Sequence, residues 1–206
     1  MVSAVRFELA KLLRDETWLA GLSVSLDALK GDLADKRIAL IGNSRALSDS
    51  KYGPQIDAAD LVIRINRAPM PAAASHGTRT DWLALATTLP AADYSRVKPG
   101  RILWMSHKRK RLKRWIAERP GFYLHPLEEW SRLGQVLAGP PTTGAMMIDI
   151  VAHSKAAALD LYGFDFFASQ SLSGRRTADQ VPHDFGSEKS YVADLMAKDA
   201  RVKLHK

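Results

Sequence analysis

Short apolar runs, separated by stretches with helical spacing, fill the chain from residue 37 onwards. The runs have the length and the branched or aromatic side chains that are typical of buried strands. They are Arg37–Ile41, Leu61–Ile65, Trp82–Ala86, Arg101–Met105, Phe122–Leu124 and Ala158–Tyr162. The helical stretches between them include Lys108–Glu118, Leu127–Leu137 and Gly144–Lys155. Because alternating strands and helices form parallel sheets with both faces covered, the pattern predicts an α/β fold with a mostly parallel sheet flanked by helices.

The first 34 residues have a different pattern, in which apolar side chains recur at mixed helical spacing. These side chains are Phe7, Leu9, Leu12, Leu13, Leu19 and Leu22. Gly21 is the predicted break between two helices. A chain of 206 residues with 46% hydrophobic composition has the size of one domain. We therefore expect a single domain over residues 35–206, on which residues 1–34 pack as a helical segment.

The loops that follow the predicted strands are rich in small and amide residues. They read Gly42-Asn43-Ser44, Asn66-Arg67-Ala68-Pro69, Ser106-His107 and Gly163-Phe164-Asp165. In open parallel sheets, ligands bind beyond the carboxyl ends of the strands. The sequence therefore predicts a ligand site at this edge, and the aperiodic stretch Ala168–Pro182 is a candidate mobile loop over it.

The formal net charge of +8 and the isoelectric point near 9.8 favour anionic partners, without choosing among them. The densest basic run is Lys108–Arg114, which is either a solvated helix face or a contact with anionic membrane. It lacks the interleaved aromatic residues of a single-strand binding platform, which argues against nucleic acid.

Other features of the composition bear on the compartment in which the chain works. The chain has no cysteine, which excludes disulfides and thiolate metal sites. No stretch approaches the roughly 18–20 apolar residues of a membrane span, and charges interrupt the amino-terminal apolar pattern. We therefore expect a cytoplasmic protein, with peripheral contact at the inner face of the membrane as a further expectation.

Common nucleotide and metal motifs are missing from the sequence. Gly42 does not begin a G-x-G-x-x-G pattern, and there is no phosphate loop of the G-x-x-x-x-G-K type. There is also no Asp-x-Asp, because Asp57 and Asp60 have two residues between them. Oxygen-rich metal sites need several converging carboxylates, so we expect no metal and no cofactor.

Three segments, in order, resemble the sialyl motifs of the animal and plant sialyltransferase family. The first comprises Gly42-Asn43-Ser44, Tyr52–Asp57, Asp60–Pro69 and Gly77–Thr80, and it is similar to the long motif. The second runs from Pro141-Thr142-Thr143-Gly144 to Leu161–Phe164 and is similar to the short motif. The third, His183–Glu188, has the histidine and the glutamate five positions later of the very small motif.

The resemblance implies a GT-A-like, Rossmann-like catalytic domain that uses a CMP-linked 2-keto sugar acid of the sialic acid type. It further implies inversion at the anomeric carbon, a glycan or glycolipid hydroxyl as acceptor, and no need for a divalent metal. CMP carries one phosphate where UDP carries two, so less negative charge has to be neutralised when it leaves. The CMP-sugar is a substrate and not a cofactor.

By matching position, the resemblance places the donor among residues of the first two motifs. They are Gly42, Asn43, Ser44, Asn66, Thr142, Thr143, Gly144, Gly163 and Phe164. Gly144 would open a helix whose amino-terminal dipole favours an anionic group. The alternative for Thr142 and Thr143 is a simple helix cap.

The resemblance assigns catalysis to His183, as the general base that removes the acceptor proton. A histidine suits this role because its ordinary pKa near 6.5 leaves much of it unprotonated at neutral pH. Glu188 would support the site through hydrogen bonds or at the start of the final helix.

The sequence departs from the family in two ways. The family's motifs are usually tied by a disulfide, and this chain has no cysteine. The family also has a histidine before the catalytic one that serves the phosphate, whereas Ser173, Gly174, Arg175 and Arg176 stand here. We hypothesise that Arg175 or Arg176 neutralises the departing phosphate, since arginine offers a permanent, forked positive charge.

Three alternatives remain open at this point. The donor sugar could be Kdo, another CMP-linked 2-keto sugar acid. The chain could be a nucleotide- or nucleic-acid-binding module without catalysis, or a degenerate transferase that only senses CMP-sugars. The acceptor, its linkage and the oligomeric state are not encoded in any motif recognised here.

Overall fold

A computed structural model describes residues 2–166 and 184–205, and these residues form one sheet with helices on both faces. The strands are β1 Arg37–Ile41, β2 Leu61–Ile65, β3 Trp82–Leu85, β4 Arg101–Trp104, β5 Tyr123–Leu124, β6 Ala158–Tyr162 and β7 Val202–His205. The helices before β4 are α1 Ala4–Leu13, α2 Glu16–Ala20, α3 Leu26–Leu33, α4 Gly53–Asp57, α5 Ala73–His76 and α6 Ala91–Val97. Those after β4 are α7 Arg114–Ala117, α8 Leu127–Val136, α9 Thr143–Ala152 and α10 Phe185–Lys198. Short 3-10 helices lie at Arg45–Asp49 and Arg109–Arg111.

The sheet has the strand order β5-β4-β3-β2-β1-β6-β7, and each pairing is parallel. The prediction of a single α/β domain with a parallel sheet is confirmed. From β1 the chain builds outward through β2 to β5, and then returns to place β6 on the other side of β1. The topological switch point therefore lies between β1 and β6, which is where sheets of this kind bind ligands.

Alternate side chains of each strand enter different cores, as the two-residue period of a strand requires. In β1, Ile38 and Leu40 pack beneath α3, α8, α9 and α10, while Ala39 and Ile41 face the side of α4. A further core on that second side joins β3, β4 and β5 to α1, α2, α6 and α7. The central strands are buried on both faces, which explains their nearly continuous apolar sequences.

The amino-terminal segment forms three helices, so the expected pair is corrected. Gly21 does end a helix, α2, but a further break at Arg14 separates α1 from α2. Arg14 adopts the left-handed conformation that closes α1, with φ of 54°. The segment packs on both faces, because Phe7 and Leu19 enter one core and Leu29 and Leu33 enter the other.

The predicted single helix Lys108–Glu118 is wrong. A 3-10 turn at Arg109–Arg111 is followed by extended backbone at Leu112 and Lys113, and then by the short helix α7. The buried positions Arg109, Leu112 and Ile116 have helical spacing, which explains the misassignment. The buried Arg109 side chain donates to the carbonyls of residues 106 and 125 and thereby fixes the turn outside a regular helix.

Strand β7 is missing from the sequence-based assignment. It pairs with β6 at the edge of the sheet, and only Val202 of its four residues is fully buried. Lys203 interrupts its apolar pattern, so the run lacks the signal of a buried strand. Within the described ranges, no helix is long and apolar enough to cross a membrane.

Candidate functional site

Two glycines meet at the switch point between β1 and β6. Gly42 follows β1 and donates its N–H to the carbonyl of Tyr162 at 2.7 Å. A methyl group added at Gly42 would lie 2.3 Å from the carbonyl oxygen of Gly163. Gly163 itself has a φ of +68°, in the region that glycine adopts without strain. The two predicted loops therefore touch through their backbones, and no side chain fits between them.

The ring of Phe164 fills the space beside this glycine pair. An added methyl group would lie 3.2 Å from the ring at Gly42 and 2.8 Å from it at Gly144. At Gly144 the same group would lie 3.7 Å from Ile65, the last residue of β2. The loops after β1 and β6 and the start of α9 therefore meet at this ring, and the end of β2 lies beside the same helix start.

Ser44 is held within the fold. Its backbone N–H donates to the carbonyl of Gly163 at 3.0 Å, and its hydroxyl donates to the Asp165 carboxylate at 2.8 Å. The hydroxyl oxygen also accepts from the N–H of Ala46, which caps the 3-10 helix. Ser44 thus fixes the path of the loop after β1 against the loop after β6, while the half-buried Asn43 lies between it and Gly42.

Asn66 has a left-handed backbone, with φ of 52°. Its N–H donates to the carbonyl of Ala84 at 2.7 Å, and its side-chain oxygen accepts from the N–H of Ala86 at 3.2 Å. The residue is half buried, and the side-chain NH₂ group remains a donor that the Ala86 bond does not use. Asparagine tolerates the left-handed conformation better than most residues, which suits it to this position.

The amino terminus of α9 lies beside the loops that follow β1, β2 and β6. Thr142 is the N-cap, and its hydroxyl accepts from the N–H of Ala145 at 3.0 Å. The capping interpretation of Thr142 therefore describes its local geometry. No described residue accepts from the N–H groups of Thr143 and Gly144. First-turn amides of a helix, together with its dipole, form a favourable environment for an anion.

Glu188 binds this cap from α10. Its carboxylate accepts from the backbone N–H and from the hydroxyl of Thr142, both at 2.8 Å. Burial raises the pKa of Glu188 to about 7, although the two hydrogen bonds from Thr142 act in the opposite direction. Asp184 begins the same helix, where its side chain accepts from the N–H and hydroxyl of Ser187. The third motif is thereby attached to the second.

Other residues of the first motif support the loops. The Asp57 carboxylate accepts from the N–H groups of Thr78 and Arg79 at 2.9 and 3.0 Å. Burial alone would raise the pKa of Asp57, but these hydrogen bonds outweigh it and lower that pKa. The guanidinium of Arg64, 1% exposed, donates to the carbonyls of His76 and Arg79 at 2.6 and 2.9 Å. These polar residues brace the loop that ends in Thr80.

Asp149 is a buried carboxylate that sequence reasoning did not select. It lies in the apolar helix α9, accepts from Tyr191 of α10 at 2.6 Å and binds Arg132 of α8. A lone acidic residue within an apolar helix was the available signal, because a buried charge requires a partner. This contact joins the three helices that carry and surround the second and third motifs.

Several predicted site residues lie outside the described ranges. They are His183, Arg175, Arg176 and the candidate loop Ala168–Pro182. Within residues 2–166 and 184–205, no group of three or more histidine, aspartate or glutamate side chains is placed to hold a metal ion.

Comparison of the sequence with known families gives a match over residues 24–113 to glycosyltransferase family 29 (sialyltransferase). A mouse CMP-N-acetylneuraminate-beta-galactosamide-alpha-2,3-sialyltransferase 1 is 56% identical over 34 residues, which are 16% of this chain. The human protein of that name is 48% identical over 40 residues, or 19% of this chain. The matched segments span only 10% and 12% of those two relatives.

Solved structures extend the likeness to nearly the whole fold. A mammalian sialyltransferase superposes with a TM-score of 0.60 over 93% of this chain and 84% of its own, at 20% identity. The sialyltransferase CstII from Campylobacter jejuni, in complex with cytidine-5'-monophosphate, gives a TM-score of 0.55 over 84% of this chain and 79% of its own. Its identity is 14%, so this likeness concerns the fold. The family match covers the first of the three sequence motifs, and the solved structures share the fold.

Proposed function

We propose that this chain, which is related to the sialyltransferases of glycosyltransferase family 29, transfers a sialic acid from a CMP-linked donor to a hydroxyl group of a glycan or glycolipid. The observation that carries the proposal is that the loops after β1 and β6 meet the first turn of α9 at Phe164, with the end of β2 beside that turn. These loops contain the residues of the first two sialyl motifs. The match over residues 24–113 includes the first motif.

The donor nucleotide would lie over this convergence. The side-chain amides of Asn43 and Asn66 offer donors for the ribose and phosphate, and the first-turn amides of α9 favour the anionic phosphate or carboxylate. Glycines at 42 and 144 leave room for the Gly163 carbonyl and the Phe164 ring, so the loops that would hold the donor can pack closely. The proposal includes a GT-A-like arrangement, in which the donor lies at the carboxyl edge of the sheet.

Transfer would proceed with inversion and without a metal. The acceptor hydroxyl oxygen forms a bond to the anomeric carbon of the donor, while the bond from that carbon to the phosphate oxygen breaks. CMP leaves with the electron pair of the broken bond, and the imidazole of His183 takes the proton of the hydroxyl. Arg175 or Arg176 would supply the positive charge that stabilises the leaving phosphate.

The first experiment measures CMP release and the glycosylated product by mass spectrometry. The purified chain is given CMP-sialic acid and a panel of galactose-terminated acceptors, with CMP-Kdo and UDP-galactose as competing donors. We expect product only with CMP-sialic acid, with the same rate in EDTA, and with the α-linked sugar that inversion of the β-linked donor requires. Transfer from CMP-Kdo alone would replace the donor assignment, and an EDTA-sensitive rate would contradict the metal-free mechanism.

Two histidine variants then test the catalytic assignment. His183→Ala should lower kcat at least 100-fold, because general base catalysis contributes about 10²–10⁴-fold. His153→Ala is the matched control, since His153 is exposed at the carboxyl end of α9, away from the helix start. Equal activity of His183→Ala and the parent would exclude His183 as the base. Arg175→Ala and Arg176→Ala, with unchanged turnover, would exclude the proposed role of these arginines.

A further inference from the structure

We propose that helix α1 and the basic segment 108–114 form one surface that docks on an anionic lipid membrane. We call it the docking surface: the exposed apolar side chains of α1 together with the exposed lysines and arginines of residues 108–114. The proposal concerns a second surface of the chain, formed by residues outside the three sequence motifs.

Helix α1 presents an apolar stripe to solvent. Val5, Leu9, Leu12 and Leu13 are 71%, 43%, 78% and 69% exposed. Their spacing of four, three and one residues keeps them within one side of a helix. The opposite side is the one that packs, since Phe7, Ala10 and Lys11 are buried. Four large aliphatic side chains on one exposed helix face exceed the scattered apolar residues of an ordinary surface.

The basic segment supplies cations that the described part of the chain does not neutralise. Lys108, Lys110, Arg111 and Lys113 are exposed, and no carboxylate of the described residues forms an ion pair with any of them. The buried Arg109 is different, because it binds Glu16 of α2 at 2.9 Å. Unpaired cations at this density have an attractive interaction with an anionic surface and repel one another without it.

Direct contacts place the basic segment alongside α1. The Lys11 ammonium donates to the carbonyl of Leu112 at 3.0 Å. Arg114 donates to the carbonyl of Val2 at 2.9 Å, near the start of α1. Arg109 reaches Glu16, just beyond the end of α1. The two segments therefore lie side by side in opposite directions, and the basic side chains border the helix that carries the apolar stripe.

An apolar stripe flanked by cations fits an anionic membrane better than it fits nucleic acid or a second copy of the chain. An interfacial helix buries its apolar face at the headgroup boundary while flanking lysines and arginines bind anionic lipid. Nucleic acid would use the cations but would leave Leu12 and Leu13 in water. A second copy of the chain would bring two sets of cations together, which like-charge repulsion disfavours. The negatively charged cytoplasmic leaflet is the expected surface.

Docking would orient the carboxyl edge of the sheet. The basic segment begins two residues after Ser106, which follows β4 at the edge where the nucleotide-binding loops lie. A membrane-bound molecule would hold that edge near the bilayer, where a lipid-linked glycan presents its hydroxyl groups. This consequence rests on the proposed transferase function, whereas membrane binding itself does not.

The test is sedimentation with vesicles of phosphatidylcholine alone and with vesicles of phosphatidylcholine and the anionic lipid phosphatidylglycerol, because polybasic segments are attracted to anionic lipid. We expect binding to the anionic vesicles only. Exchange of Lys110, Arg111 and Lys113 for glutamine should weaken it roughly 100-fold, because each cation near the surface contributes about fivefold. Leu12→Glu with Leu13→Glu should abolish it. The control is Val136→Glu, which alters another exposed apolar residue, 57% exposed, on α8.

Several outcomes would overturn the proposal. Unchanged binding in the leucine variant would exclude the stripe, and equal binding to neutral vesicles would exclude the charge. Binding of oligonucleotides with the leucine variant unaffected, and no vesicle binding, would assign the surface to nucleic acid. Concentration-dependent dimers that the leucine variant abolishes would assign it to a second copy. CMP release with a soluble acceptor should be the same in all these variants, so failure of docking is distinguishable from failure of the transferase assignment.

Discussion

The carboxylate of Glu188 accepts hydrogen bonds from both polar donors of Thr142, the backbone N–H and the hydroxyl, each at 2.8 Å. Thr142 is the N-cap of α9, the helix whose first turn lies at the proposed phosphate position. Glu188 belongs to α10, five residues after His183 in the sequence. One side chain therefore joins the proposed donor-binding helix to the helix that follows the proposed base in the sequence, and in this scheme Glu188 is a positioning residue.

Loss of that link should weaken donor binding and destabilise the fold. Glu188→Ala leaves two donors of Thr142 without their acceptor, which costs about 1–3 kcal/mol when the groups are buried. We expect a lower melting temperature, a higher KM for the CMP-sugar and a smaller change in kcat. The measurements are thermal unfolding and steady-state kinetics, with Glu188→Gln expected to restore most of the KM.

The control for that variant is the next residue, Lys189, which is exposed and whose side chain forms no hydrogen bond or ion pair within the described ranges. Lys189→Ala should leave KM and the melting temperature unchanged. Parent-like donor binding in Glu188→Ala, at a reduced melting temperature, would limit Glu188 to a structural role.

The same carboxylate should make stability depend on pH. Burial raises the pKa of Glu188 from 4.5 to about 7, so the folded state binds this proton more tightly than the unfolded state does. The contribution is complete below pH 4.5 and is lost as the pH rises through about 7. At about 1.4 kcal/mol per pKa unit, the change is about 3 kcal/mol at most.

Glu188→Gln isolates this effect, because glutamine cannot ionise but keeps an oxygen and a donor in the same place. The parent should lose stability relative to Glu188→Gln between pH 5 and pH 8, as measured by urea unfolding at each pH. A constant difference between the two proteins over that range would show that the carboxyl titrates at its ordinary pKa.

The close contact between the loops after β1 and β6 should require a residue without a side chain at position 42. An alanine there would place its methyl group 2.3 Å from the carbonyl oxygen of Gly163, so the two loops would have to separate. Overpacking of this kind costs about 1–3 kcal/mol, and we expect it to lower CMP affinity as well. Isothermal titration with CMP and thermal unfolding check both effects.

Gly31→Ala is the control for Gly42→Ala, because the same substitution at Gly31 causes no steric clash. It lies inside α3, and no atom lies within 4 Å of an added methyl group. Gly31→Ala should raise stability by about 0.5–1 kcal/mol, because alanine favours the helix more than glycine does. CMP binding unaffected by Gly42→Ala would contradict the placement of the donor at this loop pair.

The central strands could be predicted from the sequence because they are largely buried on both faces, so their sequences are apolar except at single positions such as Arg64. The bounds of β1, β2 and β6 agree with the predicted runs. Strand β7 was missed because it lies at the edge of the sheet, where the charged Lys203 interrupts its apolar residues. The segment after His107 was assigned to one helix, because buried residues at helical spacing do not reveal a backbone that the Arg109 guanidinium holds in a turn.

The site was predicted less completely, for a physical reason. A motif indicates which residues lie near the nucleotide, but it does not show which of them are occupied by other contacts. Ser44 is bonded to Asp165, and Thr142 is bonded to Glu188, a residue 46 positions away. Such long-range pairs follow from packing of the elements: the resemblance indicated a hydrogen-bonding role for Glu188, but it did not identify Thr142 as the partner.

Asn66 allows the side-chain and backbone contributions to the site to be separated. Its left-handed φ of 52° favours glycine or asparagine, and its side-chain oxygen accepts from the N–H of Ala86. Asn66→Gly keeps the backbone conformation and removes the amide, while Asn66→Ala removes the amide and adds strain of roughly 1–2 kcal/mol. We expect both variants to weaken CMP binding by a similar factor, about tenfold, which corresponds to one hydrogen bond to a charged phosphate. Only Asn66→Ala should show the larger loss of melting temperature. If CMP affinity instead follows the melting temperature across the two variants, the amide does not contact the nucleotide, and Asn66 only shapes the loop after β2.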